Sequence, residues 1–277
     1  MSSFLRPKQL AEALEALSIG EPTIIAGGTD FYPARVGKPL DDDVLDITAI
    51  EGLRVIEDRG DHIYIGARST WSDLIRADLP AWLTGMKLAA KEVGGVQIQN
   101  AATIVGNICN ASPAADGVPG LLALDASIIL ASTSGERTLP VSEFILGNRK
   151  TKRQPNEMVL GISIPACKNG AKSTFLKLGA RKYLVISIVM VSAVLETSDD
   201  GTVERLRLSV GSCSEVACRL TDAERLLVGR KVDSNLASSV VYDHLKPLSP
   251  IDDVRGTAAY RRDVSLTLVR RAITELV

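Results

Sequence analysis

Ala102-Thr-Ile-Val-Gly-Asn-Ile-Cys-Asn-Ala-Ser-Pro-Ala-Ala-Asp-Gly-Val-Pro-Gly-Leu-Leu-Ala-Leu-Asp-Ala126 is the stretch on which the reading of this chain turns. Its first half is small and polar with almost no bulk, set between a helical segment and an apolar run. Such a segment lets main chain approach a ligand closely and line it with backbone amides, which suits an anionic group. The competing reading is an ordinary surface loop between two helices. A second stretch shifts the balance. Thr23-Ile-Ile-Ala-Gly-Gly-Thr-Asp30 reads as a short β-branched strand running into another amide-rich turn. Gly27 and Gly28 allow a sharp turn and leave no side chain between their N–H groups and a phosphate. Asp30 is expected to close that turn by accepting backbone amides, since direct contact with a phosphate is repulsive unless a water intervenes. Neither stretch is the Gly-x-Gly-x-x-Gly fingerprint, so a Rossmann nucleotide site is not supported.

Composition bounds the alternatives. The chain has 277 residues, 45% of them hydrophobic, and a formal net charge of −1. That length fits two medium domains, or one large domain with an appended module. The near-zero charge makes neither nucleic acid nor an anionic membrane an obvious partner. The longest apolar run, Val185 to Leu195, is too short to span a bilayer and is interrupted by Ser187 and Ser192. The N-terminal Met-Ser-Ser-Phe-Leu-Arg-Pro has no signal-peptide core, so the expected compartment is cytoplasmic. Cys109, Cys167, Cys213 and Cys218 form no Cys-x-x-Cys pair, and His62 and His244 lie far from them in sequence. That pattern offers neither a zinc site nor an iron–sulfur cluster, and a disulfide framework is not expected in a reducing compartment. Cys109 reads as a small buried filler, and His62 as a surface residue beside a turn rather than a catalytic base.

Along the chain, helical spacing covers Pro7 to Leu17, and short strands are expected at Thr23–Ala26, Val44–Ile47, Leu53–Glu57 and His62–Gly66. Thr70 and Asp73 form a capping-box variant that opens a helix, and a second helix covers Ala81 to Val93, stopped by Gly94-Gly95. Gln97, Gln99 and Asn100 lead into the central segment. Beyond it come a compact apolar turn or helix at Val118–Asp125, a strand at Ser127–Ala131, β character at Arg137–Leu139, a short helix at Val141–Leu146 and a strand at Glu157–Pro165. Ala166 to Ser173 has the most linker-like composition and marks the domain boundary. Strands at Phe175–Gly179, Ile186–Glu196 and Val203–Val210 follow, the last two joined by a hairpin at Ser198–Gly201. Helices are expected at Asp222–Leu227, Leu236–Leu245 and from Thr257 to the end. Strands followed by helices imply an α+β arrangement there.

Ala26-Gly-Gly-Thr-Asp30 and Thr103-Ile-Val-Gly-Asn-Ile-Cys-Asn-Ala-Ser-Pro-Ala-Ala-Asp116 resemble the two FAD loops of the molybdenum hydroxylase flavoprotein subunit. This is the medium subunit of bacterial xanthine dehydrogenase and carbon monoxide dehydrogenase. The similarity extends through Pro119–Ala126, through Phe175-Leu-Lys-Leu-Gly-Ala-Arg181 with Ile186-Ser187, and to Asp253-Val-Arg-Gly-Thr-Ala-Ala-Tyr-Arg-Arg262, so it covers essentially the whole chain. It implies an α+β fold. Residues 1–170 would form a two-subdomain PCMH (vanillyl-alcohol-oxidase) type FAD-binding unit, with subdomains of about 1–55 and 56–170, and residues 171–277 a small C-terminal α+β domain. It also implies noncovalent FAD, with the cofactor-binding positions Thr23, Ile24, Ile25, Ala26, Gly27, Gly28, Thr29 and Asp30 in the first loop. The second loop supplies Ala102, Thr103, Ile104, Val105, Gly106 and Asn107. Asp116 is implied to accept from flavin or ribose hydroxyls, Met158 to contact the cofactor from its strand, and Phe175 and Lys177 to lie near the isoalloxazine.

The function that follows from the resemblance is electron transfer from a 2Fe–2S small subunit through FAD to NAD or another acceptor, beside a large subunit carrying the molybdopterin cofactor. Lys177, placed at the pyrimidine edge, would stabilise an anionic reduced flavin; without the resemblance it reads as a solvated surface lysine. Val105 departs from the common Thr-x-Gly-Gly form. Because valine resists φ > 0, the backbone there is expected to be extended, or the pyrophosphate to sit further away. A free-standing flavin reductase on the same fold and a flavin-free structural subunit are the competing classes.

Overall fold

The computed structural model describes residues 3–39 and 41–277. Met1 and Ser2, the start of the N-terminal stretch read above, and Leu40 lie outside the described residues. Three main sheets carry the chain, and their order in sequence sets where the cleft forms. The first is small and parallel, with Phe4–Leu5 and Thr23–Ile25 on either side of Val44–Asp46. The second is five-stranded and antiparallel, ordered Ile56–Asp58, His62–Gly66, Met158–Pro165, Ser127–Ser132, Gly135–Pro140. Its central strand, Met158–Pro165, is apolar on both faces because helices and the first sheet leave neither face to solvent. The third is an antiparallel meander of Lys172–Leu178, Val189–Thr197, Val203–Gly211 and Cys218–Arg219, with the Ser198–Gly201 hairpin turn where the sequence placed it.

Helix starts follow local chemistry. At Thr70 the capping box is complete: its Oγ1 accepts from the Asp73 amide at 3.2 Å, and Asp73 Oδ2 accepts from the Thr70 amide at 2.9 Å. The helix spans Trp71–Arg76. The first helix begins at Leu10 rather than Pro7, because the Glu12 carboxylate reaches back to the amides of Lys8 and Gln9 and fixes the start there. Gln97, Gln99 and Asn100 are helical (Val96–Ala101), not a lead-in, and the strand expected from Leu53 starts at Ile56. The helix expected over Leu236–Leu245 is two 3-10 turns, Ala237–Ser239 and Tyr242–Leu245. The β-branched pair Val240-Val241 is extended between them, with Val240 buried. The terminal helix, Ala258–Leu276, is capped by Thr257, whose Oγ1 accepts from the Tyr260 amide at 3.2 Å.

The largest correction falls on the central stretch. Ile104–Asn110 is an α-helix. Thr103 caps it by accepting the Gly106 amide on Oγ1 at 3.0 Å, and Ile104, Val105 and Ile108 are buried against the core. Val105 is therefore in right-handed helical backbone, neither extended nor forced toward positive φ. Low bulk made the segment read as loop; a threonine followed by three buried aliphatics is what made it a helix.

One hydrophobic core joins the first two sheets and their helices, and a second lies between the meander and the terminal helix. A small third cluster of Ala89, Phe175 and Met190 lies where the helix Thr84–Glu92 packs on the meander. Polar ties cross the same seam. Asp125 accepts from Arg219 at 2.7 Å and from Arg207 at 3.1 Å, and the Ser212 amide donates to Pro113 O at 3.1 Å.

Candidate functional site

The strand Thr23–Ile25 delivers the chain to Ala26 at the edge of a cleft. Gly27 meets the end of the Val96–Ala101 helix so closely that a Cβ there would overlap the Ala101 carbonyl oxygen and sit 2.7 Å from its carbon. Gly28 follows at φ +65, with the Tyr32 ring packed over it. Only residues without a Cβ satisfy both demands. The Tyr32 amide then donates to Gly28 O at 3.1 Å and closes one helical turn.

From the other side, an antiparallel bridge pairs Thr70 with Thr103, the Trp71 amide donates to Ala102 O at 3.2 Å, and the Ile104 amide donates to Ser69 O at 3.0 Å. The first cleft segment meets the second where Gly27 abuts the Ala101 carbonyl. Among the described residues the amides of Gly27, Gly28, Thr29, Asp30 and Val105 donate no hydrogen bond. Open amides at the starts of two helical turns form a positive concavity suited to an anion.

The cleft encloses about 730 Å³, within the roughly 300–1,000 Å³ typical of cofactor sites. All eight residues from Thr23 to Asp30 line it, as do Ala102, Thr103, Val105, Gly106, Asn107 and Met158. Ile104 does not; it is wholly buried in the core. Asp30 does not close its own turn. Its carboxylate, half exposed, accepts from Arg149 Nη1 at 3.1 Å instead. Cys109 also lines the cleft, half-buried rather than the buried filler expected of it, and desolvation pushes its thiol up to about 11.

Asp116, Phe175 and Lys177 lie outside that lining. The Phe175 ring is buried with Ala89 and Met190 at the seam between the cores. Lys177 is not a solvated surface lysine. Its side chain is 4% exposed and donates to Asp116 Oδ2 at 2.9 Å and to Glu92 O at 3.1 Å. Ser187 Oγ donates to the other carboxylate oxygen at 2.7 Å. Burial pushes the Asp116 carboxyl above its usual range, while the ammonium and the hydroxyl pull it back. With both oxygens engaged, Asp116 holds the seam together.

The two segments alone do not show the cations of the site. Arg35, Arg149 and Arg153 all line the cleft. Arg35 is committed to Asp42 (2.5 and 2.6 Å) and stacks over Phe31 at 3.7 Å, and Arg153 Nη1 donates to Glu157 O at 2.8 Å. The signal available was the basic run Arg149-Lys-Thr-Lys-Arg153, which precedes the central strand of the second sheet.

Comparison with known proteins agrees with this architecture. Residues 1–167 match the family described as FAD binding domain in molybdopterin dehydrogenase, and residues 174–276 match the CO dehydrogenase flavoprotein C-terminal domain. The FAD-subunit of nicotinate dehydrogenase from Eubacterium barkeri is 32% identical over 82% of this chain and 79% of its own. The medium chain of glyceraldehyde dehydrogenase from Sulfolobus acidocaldarius is 29% identical over 99% of this chain and 98% of its own. Carbon monoxide dehydrogenase from Hydrogenophaga pseudoflava, solved in a form lacking the Mo-pyranopterin moiety, superposes with a TM-score of 0.91 at 28% identity, covering 99% of this chain and 96% of that one. With both halves matched in order and the α+β fold shared end to end, the chain belongs to the FAD-binding medium subunits of the molybdenum hydroxylase family.

Proposed function

We propose that this chain receives electrons from a 2Fe–2S small subunit and passes them through FAD to NAD or another soluble acceptor, while a large subunit with the molybdopterin cofactor oxidises the substrate. The observation that carries the reading is the backbone contact of Gly27 with Ala101, which puts the open amides of both segments on one cleft. The residues fit FAD. The open amides suit its diphosphate, and Met158 with Val159 gives the cleft an apolar wall. FAD, when bound, supplies the redox chemistry; the chain's work is to hold it, orient it and keep its charge balanced.

Thr23 to Asp30 and Ala102 to Asn107 would hold the diphosphate side, with Ile104 acting only by anchoring the helix. Asp116, Phe175 and Lys177 would support the site from the seam rather than by direct contact. His62 and His244 lie off the cleft lining and the Cys109 thiol is protonated, which supports noncovalent attachment. A division near residues 166–173 into an FAD-binding unit (1–170) and a C-terminal unit (171–277) fits the two cores. Among the described residues no helix is long and apolar enough to cross a membrane, and a cytoplasmic compartment is part of the same proposal.

The flavin-free alternative rested on Val105, and a valine in ordinary helical backbone gives it no support. The test is direct. The chain, co-expressed with the products of its neighbouring reading frames, should purify yellow with one FAD per chain, and NADH added without oxygen should bleach it. A preparation that stays colourless after incubation with FAD refutes the cofactor reading. A yellow one that NADH leaves unbleached refutes only NAD.

A further inference from the structure

The turn at Asn148-Arg149 joins two short strands, Ile145–Gly147 and Lys150–Thr151. Arg149 holds φ +55, a conformation that non-glycine residues rarely adopt. Its amide donates at 3.0 Å to the carbonyl of Ala111, which is itself the left-handed end (φ 47) of the Ile104–Asn110 helix. From that anchored backbone, Nη1 donates to Asp30 Oδ2 at 3.1 Å and to Asn110 Oδ1 at 2.9 Å. Asp30 ends the first cleft segment and Asn110 ends the helix that carries the second, so one side chain links both.

The span is weakly held at its tip. The Arg149 side chain is 63% exposed and that of Asp30 is 54% exposed, and ion pairs this open to solvent contribute little. Only Nη1 is engaged among the described residues, leaving the rest of the guanidinium fork free. A diphosphate on the adjoining open amides would offer that fork more charge and a bidentate geometry that a single carboxylate oxygen does not.

Resting on the FAD reading above, we propose that Arg149 is a strap. It is parked on Asp30 and Asn110, turns onto the diphosphate of the bound cofactor, and slows its release. Asp30 is then a holding partner that keeps the guanidinium beside the cleft and competes with the phosphate for it. This separates the strap from a merely structural ion pair. A structural pair loses equally when either member is changed, whereas the strap loses only with Arg149.

The test uses the full chain and three probes: FAD, ADP (diphosphate without the flavin ring) and riboflavin (ring without the diphosphate). Arg149→Ala should weaken FAD and ADP about tenfold, mostly through faster release, as expected for losing one charge-assisted contact. It should also flatten the salt dependence of ADP binding and leave riboflavin binding unchanged. Arg149→Lys should recover part of the loss, and Asp30→Asn, which keeps the main-chain amide on the cleft side and changes only the competing carboxylate, should bind ADP no more weakly than wild type. Wild-type binding of FAD with ADP affinity in Arg149→Ala within about twofold of wild type overturns the strap and leaves the cofactor reading standing. So does an equal loss in Arg149→Ala and Asp30→Asn. A wild-type chain that binds none of the three probes overturns both.

Discussion

Gly27→Ala tests the geometry on which the site depends. The new methyl would overlap the Ala101 carbonyl oxygen and sit 2.7 Å from the carbonyl carbon, where ordinary contact begins at 3.4 Å. Both sides of the clash are backbone, so no rotamer change relieves it, and the two segments must part by about 0.7 Å or more. A hydrogen bond of about 2.9 Å stretched by that amount reaches about 3.6 Å, which no longer counts as one. Losing two amide–phosphate bonds at about 1.5–3 kcal/mol each gives about 3–6 kcal/mol, or a hundred- to ten-thousandfold weaker FAD binding. The apoprotein should lose only the ~1–3 kcal/mol typical of local overpacking and remain folded. Calorimetric titration of the apo chain with FAD, alongside urea unfolding without FAD, separates the two effects. If Gly27→Ala binds FAD within threefold of wild type, the two segments do not grip one diphosphate, and the cofactor lies elsewhere.

Thr103→Ala removes the cap that accepts the Gly106 amide and should lower stability by about 1 kcal/mol in urea unfolding, with Thr103→Ser close to wild type. Lys177→Met strands the buried Asp116 carboxylate and should destabilise by about 3–5 kcal/mol; Lys177→Met/Asp116→Asn should recover much of that loss, because no unpaired charge is left behind. Burial raises the Asp125 carboxyl, but Arg219 and Arg207 outweigh it and hold the group below its ordinary range. A lowered folded value contributes stability that is complete above the unfolded value of about 3.9 and is lost as pH falls through the folded one. Urea midpoints should therefore fall below about pH 4 in wild type, with a smaller drop in Asp125→Asn; equal slopes would rule out this carboxylate as the acid-sensitive tie between the cores.

What could be read in advance tracks how local each determinant is. The Thr70–Asp73 cap, the Ser198–Gly201 hairpin and the Thr257 helix start are decided within a few residues, and the sequence showed them plainly. The candidate cleft was legible as two low-bulk segments, but the contact that makes it one site, Gly27 on Ala101, is tertiary and has no sequence period. The low-bulk composition of Ile104–Asn110 masks a helix whose signal is the capping residue Thr103. Lys177 shows the opposite limit: on the surface scale of hydropathy it looks solvated, and only the fold brings Asp116, Glu92 and Ser187 around it.

The same distinction explains why a valine at position 105 does not count against the cofactor. A glycine is required where a Cβ would collide or φ must be positive, and here those demands fall on Gly27 and Gly28. At position 105 the backbone is helical and the side chain is 5% exposed. Its isopropyl group packs into the core, and among the described residues its amide donates no hydrogen bond. What a bound anion would use is the N–H group, which valine and glycine share; the side chain they do not share is packed in the core. A departure from a glycine-rich pattern weakens a binding site only where the missing glycine was doing conformational work, and at this position it was not.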